Sequence, residues 1–367
     1  MKIGVLTSSR ADYGIYLPLL ERIKKDGFFA MEIIAFGSHF STEHGYTFNE
    51  IEKDRYQVIH QLKTITQEDT EEGIVKSYGH TILEFAGFWK CNKYDLVFCL
   101  GDRYEMSAAV QAGIPFGVKF AHLHGGETTL GAIDNIYRHQ ITLASGLHFT
   151  STIPNKKKVS LITGSGENVY AVGSLSLNNI LKFKAVDKNL FYSSFYIPQG
   201  DFALVTFHPE TVSVHENKGY IVEMAGALKT ISETLNLVIT MPNADTLGSS
   251  YRDAIYELKR GCPTRIILVE NFGKTNYFSA MHYARVLIGN TSSGIIEAAS
   301  FKKFVVDVGN RQKGRAHSKN VLHANFTKAD ILEKSYEALR LGEYNGENIY
   351  FKKNVTNKIL KVLKNIL

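Results

Sequence analysis

The sequence predicts an α/β protein built from two Rossmann-like, doubly wound parallel units. The chain has 367 residues, more than twice the ~150 that one domain commonly uses. Short β-rich apolar runs alternate with helical patterns from the first residue onward, as in parallel sheets with crossover helices. The alternation weakens after Gly173, through a polar stretch ending in Ile197-Pro198-Gln199-Gly200-Asp201, and then restarts. Such a break marks a connection between domains. The predicted units are residues 1–175 and 200–345, with a terminal helix at about 352–367 packing back on the first.

In the first half the expected strands are Ile3 to Thr7, Glu32 to Phe36, Gln57 to His60, Asp95 to Leu100, Phe116 to His122, Leu147 to Thr150 and Val169 to Val172. Helical patterns fall near 13–25, 70–90, 104–112, 134–145 and 154–162. In the second half the strands are Phe202 to Phe207, Leu237 to Met241, Arg265 to Val269, Val286 to Gly289 and Phe304 to Val308. The last helical segment, near 354–366, places Val355, Ile359, Val362 and Ile366 at helical spacing, which predicts one buried face.

Composition narrows the function. Hydrophobic residues are 44% and charged ones 21% of the chain, with 7 prolines, which excludes disordered and fibrous classes. No apolar run reaches the ~18 residues a membrane span needs, and the N-terminus has no signal-peptide core, so a cytoplasmic protein without membrane contact is expected. Cys91, Cys99 and Cys262 lack CxxC spacing and are expected to be reduced and mostly buried. The net charge of +6 is spread out, and the basic runs Lys156-Lys157-Lys158 and the C-terminal lysines read as solvated helix faces. A small anionic ligand is therefore expected in place of nucleic acid.

In doubly wound sheets, ligands bind beyond the carboxyl ends of the strands. Seven strand ends here are polar: Ser8-Ser9-Arg10, Gly101-Asp102-Arg103, His122 to Glu127, His208-Pro209-Glu210, Pro242 to Asp245, Asn290 to Gly294 and Gly309-Asn310-Arg311. They predict a site in the cleft between the units. Asn290-Thr291-Ser292-Ser293-Gly294 leads from a strand into a helix beginning near Gly294. Free amides there suit phosphate, and Arg10 and Arg311 would add charge-assisted contacts. Ser292 or Ser293 acting only as a cap is the plainer alternative.

Glu297, one turn into that helix, suits a ribose diol, and a solvated helix glutamate is an equally ordinary reading. GxGxxG and the P-loop are both absent, and His122 and His124, expected on one strand face, have no third metal ligand at a usual spacing. Asp102, Glu127, Asp134 and His208 are the acid/base candidates, and chemistry that removes and returns a proton uses such groups.

Taken together, Gly101-Asp102-Arg103-Tyr104-Glu105, His122-x-His124-Gly125-Gly126-Glu127, Ile133-Asp134-Asn135-x-x-Arg138-His139, His208-Pro209, Pro242-Asn243-x-Asp245, Asn290-x-Ser292-Ser293-Gly294-x-x-Glu297 and Gly309-x-Arg311-Gln312-x-Gly314-Arg315 resemble the UDP-N-acetylglucosamine 2-epimerase family, hydrolysing branch. The resemblance spans roughly residues 1–325. It implies the glycosyltransferase-B type of two-domain fold. The implied reaction eliminates the C2 proton and nucleoside diphosphate to a 2-acetamidoglycal, then adds water.

Products would be UDP and a free manno-configured sugar, used in sialic or legionaminic acid type synthesis. The resemblance implies no NAD and no essential metal, and a homodimer or homotetramer. It puts Asp102, Asp134 and His208 at acid/base positions, with Glu127 an added candidate because His124 stands where several relatives have a glutamate. Arg10, Ser292, Ser293, Glu297 and Arg311 match nucleotide contacts, and Arg103, His124, Arg138, His139 and Asn243 fall on substrate-facing positions.

Rival expectations are a glycosyltransferase on the same architecture and a non-catalytic UDP-sugar sensor. The sugar, N-acetylglucosamine or 2,4-diacetamido-2,4,6-trideoxyglucose, stays open, as does UDP against GDP.

Overall fold

A computed structural model describes residues 1–42, 46–64, 70–242 and 248–366. Asn243 and Asp245 lie outside the described residues. The chain divides into two compact units. The first comprises 1–127, 134–179 and 350–367, and the second 128–133 and 180–349.

The first unit is built on seven parallel strands: β1 (Lys2–Thr7), β2 (Ala30–Phe36), β3 (Ile59–Leu62), β4 (Leu96–Leu100), β5 (Phe120–Leu123), β6 (Leu147–Thr150) and β7 (Val169–Ala171). Their order is β3-β2-β1-β4-β5-β6-β7. The order reverses between β1 and β4, so Ser8-Ser9-Arg10 and Gly101-Asp102 emerge at the switch point where such sheets bind ligands. Buried residues cover both faces, which is why the strands read as continuous apolar runs rather than alternating ones.

β2 starts two residues earlier than the sequence expectation, at Ala30, while β3 and β5 start later. β3 begins at Ile59 because its register with β2 pairs Ile33 with Ile59 and Phe36 with Leu62. β5 begins only at Phe120, because Ile114–Phe116 forms a 3-10 turn closed by Gly117 at φ 66°. The terminal helix Val355–Ile366 buries Val355, Ile359, Leu360 and Leu363 in the core that Leu19, Leu20 and Ile23 also fill. The stripe thus follows i, i+4, i+8, and Ile366, expected inside, is exposed.

The second unit has six parallel strands: β8 (Phe202–Thr206), β9 (Asn236–Thr240), β10 (Ile266–Val269), β11 (Val286–Gly289), β12 (Val305–Val308) and β13 (Val321–Ala324). The order is β10-β9-β8-β11-β12-β13, with the reversal between β8 and β11. The edge strand β13 was not expected. Only Ala324 in it is buried and His323 is exposed, so it lacks an apolar run and exists by pairing with β12.

Residues 128–133 join this unit through Leu130 N–H to the Lys313 carbonyl at 3.0 Å and Ile133 N–H to Thr211 Oγ1 at 3.0 Å. Among the cysteines, Cys99 is buried, Cys262 half-buried and Cys91 exposed, so burial holds for fewer of them than expected. No helix among the described residues is long and apolar enough to cross a membrane.

Candidate active site

The first unit gathers its polar groups around one buried arginine. Helix Asp134–Ala144 carries Arg138, whose side chain is 1% exposed. Its Nη1 donates to the Glu127 carbonyl at 2.8 Å and its Nη2 donates to Asp102 Oδ2. Asp102 follows β4 through Gly101, at φ 80°, and its side chain keeps 28% exposure. A guanidinium fork is suited to holding two acceptors at fixed angles, and here it joins two of the predicted acid/base residues.

Glu127 sits at the end of the Gly125-Gly126 turn. A Cβ on Gly126, at φ 77°, would lie 2.4 Å from the Asn155 carbonyl oxygen, and one on Gly125 would lie 2.9 Å from His122 Nδ1. The two glycines therefore let the turn close against its neighbours. The Glu127 side chain is 3% exposed, and its Oε1 accepts from His124 Nδ1 at 3.0 Å and from Ser151 Oγ at 2.8 Å. Asn155 Nδ2 in turn donates to Ser151 Oγ at 2.9 Å. His124 has φ 64°, in the left-handed region.

His122 and His124 do not share a strand face as expected, because β5 ends at Leu123. His122 is fully buried, and its Nε2 donates to the Gly101 carbonyl at 2.9 Å while its Nδ1 accepts from the Thr142 hydroxyl at 3.1 Å. It thereby fixes the backbone next to Asp102. Burial pushes its pKa from 6.5 down to about 3, and burial pushes that of His148, on β6, down to about 4. Both values lie below the ordinary one, so the unfolded chain protonates first as pH falls.

The fold's stability is complete above the ordinary value and declines between pH 6.5 and about 3. His122 alone should account for about 2 kcal/mol of loss at pH 5. Denaturant titrations at pH 7 and pH 5 measure it, and His122→Gln should flatten the dependence.

Other expected residues are placed differently. Arg103 is committed to the buried Glu105, with Nε and Nη2 at 3.1 and 2.9 Å from its two oxygens. The pair fixes the guanidinium against the first turn of helix Tyr104–Gly113, while the Arg103 side chain keeps 27% exposure. Asp134 and His139 lie on the Arg138 helix, and His139 is half-buried with its pKa lowered by burial and then by Lys158 and Arg138. Lys158 is itself half-buried, and burial followed by Arg138 lowers its pKa, so it is not the solvated residue expected. Arg10 opens helix Arg10–Lys24, whose cap is a box formed by Ser9 and Asp12.

In the second unit the hub is Asn290, just past β11 and fully buried. Its Oδ1 accepts from His208 N–H at 2.7 Å and its Nδ2 donates to the His208 carbonyl at 2.8 Å. Its own carbonyl accepts from Gln312 Nε2 at 2.9 Å and from Arg311 Nη1 at 3.4 Å. Glu210 adds a second tie, with Oε1 accepting from Asn310 N–H at 2.5 Å. Burial pushes the Glu210 carboxyl above its usual range against the opposing donations of Asn310 and Arg311.

Neither Asn290 nor Glu210 was assigned a role from sequence. The signal available was their place at strand ends, where a clasping side chain and a ligand contact look alike. Replacing Asn290 with alanine strands both buried backbone groups of His208 and should cost about 2 kcal/mol, read as a fall in the denaturation midpoint.

Ser292 begins, rather than precedes, the helix Ser292–Ile296, which has five residues. So short a helix has little macrodipole, so any phosphate contact there falls to local N–H groups and Arg311. Ser293 Oγ is engaged by Tyr277 OH at 2.6 Å. Glu297 is 7% exposed and caps the helix's end.

Two doubly wound parallel units, each with a polar switch point, define a two-domain α/β class of fold. The whole chain matches the structure of a UDP-GlcNAc 2-epimerase from Neisseria meningitidis bound to UDP-GlcNAc, with TM-score 0.81, 15% identity and 100% of both chains covered. The chain belongs to the UDP-N-acetylglucosamine 2-epimerase family, whose model matches residues 21–364.

Among curated relatives it is 31% identical to a UDP-N,N'-diacetylbacillosamine 2-epimerase (hydrolyzing) of Legionella pneumophila, covering 100% of this chain and 96% of the relative. It is also 31% identical to a GDP/UDP-N,N'-diacetylbacillosamine 2-epimerase (hydrolyzing) of Campylobacter jejuni, covering 94% and 88%.

Proposed function

We propose that the protein is a hydrolysing 2-epimerase of a nucleoside-diphosphate 2-acetamido sugar. It converts UDP-linked 2,4-diacetamido-2,4,6-trideoxyglucose, ahead of UDP-N-acetylglucosamine, to UDP and the free manno-configured sugar. The preference for the diacetamido sugar rests on the names of the two relatives at 31% identity. The observation that carries the reading is the cluster around Arg138, which holds Asp102 and the Glu127 backbone while Glu127 holds His124.

Elimination needs a base for the C2 proton, and hydration needs an acid to return one; a pure binding site needs neither. The nucleotide contacts fall to Arg311 and the residues after β11, and the proton transfers to the Asp102 and Glu127 cluster. The product is of the kind used to build sialic or legionaminic acids, and the enzyme acts in the cytoplasm as a homodimer or homotetramer, a state light scattering measures.

Incubation of each nucleotide sugar with enzyme alone tests the reading. In D₂O the released sugar should carry deuterium at C2, and ¹⁸O-water should label the sugar and leave UDP unlabelled. A gluco product with protium at C2 makes the reaction plain hydrolysis. Arg311→Ala should weaken UDP binding by about 1 to 3 kcal/mol and Ser293→Ala by about 1, since the serine hydroxyl already engages Tyr277; calorimetric titration compares them.

A further inference from the structure

We infer that His124, and not Glu127, is the base that takes the C2 proton, with Glu127 as its positioning residue. The inference rests on the epimerase reading above. His124 Nδ1 lies 3.0 Å from Glu127 Oε1. An ionised carboxylate only accepts, so the ring nitrogen facing it carries a hydrogen, and Nε2 is the nitrogen that holds the lone pair in the matching neutral tautomer. That Nε2 is buried and has no hydrogen-bond partner among the described residues.

Glu127 Oε1, by contrast, already accepts from both His124 and Ser151, and Asp102 is tied to Arg138. The imidazole thus presents a buried basic atom without a partner among the described residues, whereas Glu127 Oε1 and Asp102 Oδ2 are both engaged. Its left-handed backbone, at φ 64°, is a conformation a histidine adopts at a cost, as residues held for function do.

In the elimination, the Nε2 lone pair takes the C2 proton. The electrons of the C2–H bond become the C1–C2 double bond, and the C1–O bond breaks with its pair leaving on the nucleoside diphosphate. The ring becomes an imidazolium held opposite the Glu127 carboxylate. A proton from another group then reaches the opposite face of C2 as the oxygen of water bonds to C1, the proton that water gives up restores that group, and the imidazolium returns its own proton to solvent. A carboxylate that stabilises the charged ring and fixes its tautomer is a recurrent partner for histidine bases.

The test compares wild type, His124→Ala, His124→Asn and Glu127→Gln in the release of UDP and free sugar. Both His124 variants should lose about a hundredfold or more in kcat while UDP affinity stays close to wild type. Added imidazole should restore part of the His124→Ala rate. Glu127→Gln keeps an acceptor for Nδ1–H and should lose less, without responding to imidazole.

His124→Asn tolerates the left-handed backbone, so a misfolded alanine variant leaves the comparison intact. Near wild-type turnover in His124→Asn overturns the inference, as does a Glu127→Gln loss exceeding that of both His124 variants. A wild-type enzyme that releases no sugar from any nucleotide donor refutes the epimerase reading instead, and that outcome shows in the wild-type arm alone.

Discussion

Asp102→Asn should lower turnover by about 10² to 10⁴ while leaving UDP affinity nearly unchanged. Asparagine has the size of aspartate and keeps one oxygen to accept from Arg138, so the local geometry survives. What it loses is the capacity to exchange a proton. Asp102 stands at the switch point of the first sheet, in the first unit, whereas the proposed diphosphate contacts belong to the second.

A loss confined to kcat therefore identifies a step made only in the transition state, whereas a matching rise in KM would identify substrate binding. Single-turnover release of UDP and calorimetric titration with UDP measure the two quantities separately. Equal losses in affinity and turnover would remove Asp102 from the acid/base set.

Arg138→Lys should be nearly as damaging, although it conserves charge. The arginine reaches the Glu127 carbonyl with Nη1 and Asp102 with Nη2 from a fully packed position. An ammonium is a point donor on a flexible stem and cannot hold both acceptors at the angles of a planar fork. One of them is left without its partner, and the carbonyl, being buried, cannot turn to water.

The expected outcome is a fall in kcat of about a hundredfold together with a stability loss of about 1 to 3 kcal/mol. Urea denaturation and steady-state kinetics on the same preparations measure both. A lysine variant with wild-type turnover would show that Asp102 and Glu127 are aligned without the arginine.

Both expectations depend on contacts that join residues 36 and 11 positions apart. Asp102, Glu127 and His208 were read from strand-end position, because a parallel sheet must turn polar where its buried strands stop, whereas Asp134 opens a helix and came from the family resemblance. The strands themselves were legible for the same reason: buried on both faces, they read as short apolar runs.

β13 was not legible, since an edge strand with an exposed histidine has no such run and is fixed by its ladder to β12. The assignment of residues 128–133 to the second unit was equally hidden. They sit between two acid/base candidates of the first unit, and they attach through the backbone N–H groups of Leu130 and Ile133, which any residue type but proline supplies.

The sequence by itself determined the fold class, the two units and the places where polar chemistry collects. Those follow from periodicity and the burial of apolar strands, which are local and additive along the chain. Only the tertiary structure decided which partners each polar residue meets. Arg103 pairs with Glu105, Asn290 clasps His208, and Glu127 engages His124 Nδ1 while Nε2 has no partner among the described residues. A side chain's role depends on which partner lies within about 3 Å of it, a distance that hydrogen bonding requires and that sequence order does not specify.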